Sequence, residues 1–92
     1  MKQFLVEVFT PRASARDLAT AERRSISAAR HLSGTDGEVR FVRMTYIPED
    51  EMCFFVFDAR SSREAALVAQ RAGLEPIRVV EAVSSTKKKE EK

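Results

Sequence analysis

The sequence predicts an α+β fold: one four-stranded antiparallel sheet with two helices on one face. Three observations carry that prediction. Four short segments are rich in alternating or continuous apolar residues, two Ala-rich segments between them show helical spacing, and the order of the six is β-α-β-β-α-β with no internal repeat. That order is the ferredoxin-like arrangement, in which the first and third strands lie centrally.

Residues 3–9, QFLVEVF, set Phe4, Val6 and Val8 against Gln3, Leu5 and Glu7, the alternation of a strand. Thr10 and Pro11 end it, because proline removes a ladder donor. Ser14 followed by Asp17 resembles a capping box and predicts a helix start there. Leu18, Ala21, Ser25, Ala28 and Leu32 continue at helical spacing, and Gly34 is the expected left-handed cap. Residues 38–47 form the second predicted strand, residues 48–51 a hairpin connection and residues 52–58 the third strand. Ser61 with Glu64 is a clearer capping box, Ala65, Val68, Ala69 and Ala72 supply the next stripe, and Gly73 stops the helix. Residues 77–83, IRVVEAV, are the last strand, introduced by Pro76.

The third strand poses the functional question. Residues 52–57, MCFFVF, are apolar at every position, so both faces of this strand want cover. One face has the helices. The other, with Leu5 and Phe9 as neighbours, lies on the open side, where burying each such side chain is worth about 1.5–3 kcal/mol. The simplest cover is a second copy packed sheet to sheet about a twofold axis, so a homodimer is expected.

Composition limits the alternatives. The 92 residues make one domain over residues 1–83 and a charged tail, SSTKKKEEK, over residues 84–92 that is expected to be disordered. Residues 1–83 carry twelve Lys/Arg and twelve Asp/Glu, so the net charge of +2 belongs wholly to the tail. The basic balance is therefore not a polyanion-binding face. No apolar run is long enough to span a membrane, the N-terminus lacks a signal-peptide pattern, and the single cysteine excludes an internal disulfide. A cytoplasmic location is expected. Nucleic-acid binding is not, although RNA-recognition modules share this element order. Laid on residues 51–58, their third-strand signature matches only at Phe55–Val56; Glu51 stands at the basic position and Asp58 at the last aromatic one.

Candidate chemistry is sparse. Glu7 shares a strand face with Leu5 and Phe9, where a carboxylate would need a partner such as Arg43 or Arg40 or would become a general base. Tyr46, the only tyrosine, could bring a hydroxyl to the same space. Cys53 reads as a small hydrophobe or a metal ligand, and His31 as a helix C-terminal residue or a second ligand.

The segments FLVEVFTP, RFVRMTYIPEDEMCFFVFDA and AQRAGLEPIRVVEAV resemble a family of small bacterial ferredoxin-like domains of unknown function that includes a nickel-binding protein. The resemblance covers residues 1–83, and YIPEDEMCFFVFDA and RAGL are its most specific parts. It implies a dimeric α/β barrel in which two four-stranded sheets pack face to face. It also implies nickel or another divalent metal. Relatives often carry a cysteine at the place of Phe55 and some a histidine near the place of Val68, and the nickel binder has histidines close after its first strand, where this chain has Val8 and Phe9. The nitrogen and sulfur donors this chain offers are Cys53 and His31. The expected function is a homodimeric small-ligand or metal-ion binding module whose inter-sheet space is lined by Glu7, Phe9, Arg43, Tyr46, Cys53 and Phe55. The alternative is a cofactor-independent enzyme of oxygenase, isomerase or cyclase type, with Glu7 as base and Tyr46 or Arg43 steadying a developing oxyanion.

Overall fold

The computed structural model describes residues 1–33 and 38–83. Gly34 and the charged tail, with the cap and the disorder expected of them, lie outside the described residues. Strands β1 (Lys2–Phe9), β2 (Arg40–Ile47), β3 (Met52–Ala59) and β4 (Arg78–Ala82) form one antiparallel sheet in the order β2-β3-β1-β4. Helices α1 (Leu18–Ser33) and α2 (Ser62–Arg71) complete the ferredoxin-like α+β fold.

Register assigns the faces, because side chains directly opposite one another in a ladder point the same way. Phe4, Val6 and Val8 of β1 stand opposite Phe57, Phe55 and Cys53 of β3, and β2 adds Phe41, Met44 and Tyr46 to that face. These residues meet the small side chains Ser25, Ala28 and Ala29 of α1 and Ala65, Val68 and Ala69 of α2, which let the helices approach closely. Phe41 and Phe57 meet edge to face with ring centroids 5.6 Å apart, a favoured aromatic geometry. The buried Ser25 satisfies its hydroxyl by donating to the Ala21 carbonyl at 2.9 Å.

The start of α1 differs from the sequence expectation. A 3₁₀ segment (Arg12–Asp17) follows Pro11, and Ser14 and Asp17 fall inside it instead of forming a capping box. Pro11 has φ −57°, which suits a tight turn, and its carbonyl accepts the Ser14 N–H at 2.8 Å. That i→i+3 bonding replaces a side-chain cap. Helix α2 starts as expected at Ser61, whose hydroxyl accepts the Glu64 N–H at 3.1 Å. The returning half of the box shifts by one residue, since the Glu64 carboxylate accepts the Arg60 N–H at 2.8 Å. The helix ends in a Schellman motif: Gly73 N–H donates to the Gln70 carbonyl and Leu74 N–H to the Ala69 carbonyl, both at 3.0 Å. Gly73 has φ +82°, where a side chain would be strained, so the expected stop holds for the expected reason.

A clasp joins the end of β1 to the β2–β3 hairpin. The Thr10 N–H donates to the Glu51 carbonyl at 2.7 Å, the Arg12 N–H to the Glu51 carboxylate at 3.0 Å, and the Tyr46 hydroxyl to the Thr10 carbonyl at 2.8 Å. Glu51 itself takes φ +53° at the last hairpin position.

Candidate functional site

The side of the sheet away from the helices is the candidate site. Four cross-strand rows build it. Arg40, Asp58, Gln3 and Ala82 form one end; Arg43, Val56, Leu5 and Val80 come next; then Thr45, Phe54, Glu7 and Arg78; and Ile47, Met52 and Phe9 close the other end. The face is therefore polar at one end and apolar at the other, with the Glu7 and Arg78 charges lying between two apolar rows. Val56 is only 2% exposed although no helix covers it, because its neighbours in the row already crowd it. Phe9, at the apolar end, is 54% exposed.

The charges on this face are mostly paired. Arg78 Nε donates to the Glu7 carboxylate at 3.1 Å, and the Glu7 side chain is only 12% exposed. Arg40 lies 3.8 Å from Asp58. Arg43 is exposed and makes no ion pair among the described residues. A depression of about 450 Å³ lies at the polar end, with Lys2, Gln3, Arg43, Asp58, Glu81 and Ala82 among its lining residues.

The six residues expected to line an inter-sheet space divide evenly. Glu7, Phe9 and Arg43 are on the open face. Tyr46, Cys53 and Phe55 are on the helix face, and Cys53 and Phe55 are fully buried there. The physical reason is register: β3 alternates, so Cys53 and Phe55 turn toward the helices while Met52, Phe54 and Val56 turn away. The expected partner of Glu7 is also corrected, from Arg43 or Arg40 to Arg78. Two opposite charges on strands that pair across the sheet were the available signal, but the β1–β4 register that joins them was not.

Cys53 is chemically quiet. Burial, then the negative charge of Glu22, push its thiol up to about 11 against the opposing effect of the Phe54 N–H. At neutral pH it is therefore a protonated, inaccessible thiol and a poor nucleophile or ligand. His31 lies exposed in the last turn of α1, on the outside of the helix layer, in a groove with Arg24, Ser27, Ala28 and Arg71. Nickel or zinc needs three or four nitrogen or sulfur donors together. Among the described residues no group of three His, Cys, Asp or Glu is placed to hold a metal ion. With Cys53 under the helices and His31 on their outer side, the donor set does not fit a nickel site within one subunit.

Among the described residues, no helix is long and apolar enough to cross a membrane. No protein-family model matches the chain, and no curated protein matches it. Among solved structures, the crystal structure of SCO4226 from Streptomyces coelicolor A3(2) is similar, with a TM-score of 0.74 and 15% sequence identity. The likeness covers 91% of this chain and 99% of the other. At that identity the similarity establishes a shared ferredoxin-like α+β fold.

Proposed function

We propose that this chain is a homodimeric binding module that holds a small ligand between two sheets packed open face to open face. The observation that supports it is the helix-free row pattern: Leu5, Phe9, Ile47, Met52, Phe54, Val56 and Val80 share a face that no helix among the described residues covers. Burying several such side chains, at about 1.5–3 kcal/mol each, supplies a driving force for association of the order a stable dimer needs. The apolar end forms the sheet-to-sheet contact. The polar end, where Gln3, Arg43 and Asp58 line the depression, receives the ligand.

The cofactor-independent enzyme is the weaker reading of the same face. A general base must be free to take a proton, whereas the Glu7 carboxylate accepts a charge-assisted hydrogen bond from Arg78 at 3.1 Å. A nickel-type role would need donors beyond Cys53 and His31. Native mass spectrometry of untagged protein with nickel, zinc and copper checks it, and a stoichiometric adduct would restore the metal reading.

Sedimentation equilibrium tests the dimer. The expected result is a particle of twice 10.4 kDa at micromolar concentration. A lone 10.4 kDa particle under the same conditions removes both the dimer and the ligand space that depends on it.

A further inference from the structure

A second, independent site is suggested on the opposite side of the molecule. Arg24, Ser27, Ala28 and His31 repeat at i, i+3, i+4 and i+7 and so occupy one face of α1. Together with Arg71, from the last turn of α2, they line a surface groove of about 400 Å³. No carboxylate is among its lining residues. Among the described residues, Arg24, Ser27, His31 and Arg71 make no side-chain hydrogen bond or ion pair, whereas Arg40, Arg60 and Arg78 are each paired with an acid.

The fold brings the Arg24 side chain to the end of α2 that carries Arg71. Arg24 Nη1 lies 3.7 Å from where a Cβ on Gly73 would stand, so its side chain crosses from α1 to the C-terminal end of α2. Helix C-termini attract cations, and each offers the equivalent of about half a negative charge. That accounts for part of the cluster. Two fixed positive charges with an imidazole and a hydroxyl exceed it, in a body whose residues 1–83 carry no net charge.

We infer that this groove binds a tetrahedral oxyanion, the phosphate group of a small phosphorylated molecule. Guanidinium groups match phosphate oxygens with paired N–H donors, and Ser27 and His31 can add further hydrogen bonds. The groove belongs to the helix layer, so it stays open when the sheets pair.

The test is titration of the full chain with inorganic pyrophosphate, followed by calorimetry and by backbone amide shifts. Saturable binding with shifts confined to the region of residues 24–31 and 71–73 is expected. The double variant R24Q/R71Q should bind about tenfold or more weakly. Arg63→Gln, at the opposite end of α2, should bind as the unaltered chain does. Absence of saturable binding at millimolar pyrophosphate overturns the inference. So does an equal loss in R63Q, which would reduce the effect to net charge. Circular dichroism of each variant separates lost binding from lost fold, and if the double variant unfolds, R24K with R71K replaces it. The lysine pair should keep the charge but lose the paired N–H geometry, and unchanged affinity in it would equally sink a specific site.

Discussion

The two faces of β3 make an instructive pair. Cys53, Phe55 and Phe57 point one way, and Met52, Phe54 and Val56 the other. All six are apolar, and composition alone does not distinguish the sets. Their surroundings do. The first set is sealed by Ala-rich helices of the same chain, with Cys53 and Phe57 at 0% exposure, while among the described residues the second has neighbours in the sheet and no helix over it. A continuous apolar strand thus gives both faces the same chemistry, while the described residues supply helices to only one of them.

Equivalent truncations on the two faces should have unequal costs. Phe57→Ala should cost about 3–5 kcal/mol of stability in urea unfolding, because it opens a cavity under the helices. Phe54→Ala should cost well under half of that at concentrations where the chain is monomeric. Equal losses would mean the open face belongs to a conventional core. Phe54→Asp sharpens the contrast from the other side. It should weaken the proposed self-association about a hundredfold in sedimentation equilibrium while the helical circular dichroism is kept.

The thiol of Cys53 reports on the sealed face alone. With its pKa raised to about 11, alkylation of the native chain at pH 8 should run about a hundredfold slower than in denaturant. Because this pKa is raised on folding, the associated stability is complete below the ordinary thiol value and is lost as pH rises toward 11. Alkaline unfolding monitored by thiol absorbance checks the sign. Glu7→Gln should change stability by only about 1 kcal/mol, since Arg78 is 63% exposed and pairs across an edge strand.

The smallest effect belongs to neither face. The Arg60 N–H, then the Arg60 guanidinium, hold the Glu64 carboxyl below its ordinary value against the opposing effect of burial. That contribution is complete above the ordinary glutamate value and fades as pH falls through the lowered one. Glu64→Gln should therefore flatten the acid limb of a stability-versus-pH curve by about 1 kcal/mol or less.

Much of the fold was legible because local signals agreed with one another. Ser61 with Glu64, Gly73, the Ala stripes and the alternation in β1 each specify their element without help from distant residues. The site was legible only in half. Leu5, Glu7 and Phe9 could be assigned to the open face by alternation, whereas β3, apolar at every position from Met52 to Phe57, left Cys53 and Phe55 unassigned, and β2 resisted too. A bulge between Phe41 and Arg43 sets Phe41 on the same face as Met44 and Tyr46, which strict alternation forbids. No residue type at Val42 announces that extra step. The Glu7–Arg78 pair was hidden for a related reason, since it joins positions 71 residues apart through a register that only tertiary packing selects.

The clasp at Glu51 has a consequence in time. It ties Thr10 and Arg12 to a hairpin some forty positions downstream, and closing so long a loop is entropically uphill until both ends are already ordered. The hairpin should therefore form first and the crossover dock onto it. Tyr46→Phe, which removes only the hydroxyl bridge to Thr10, should accelerate unwinding of the native state and leave the refolding rate nearly untouched.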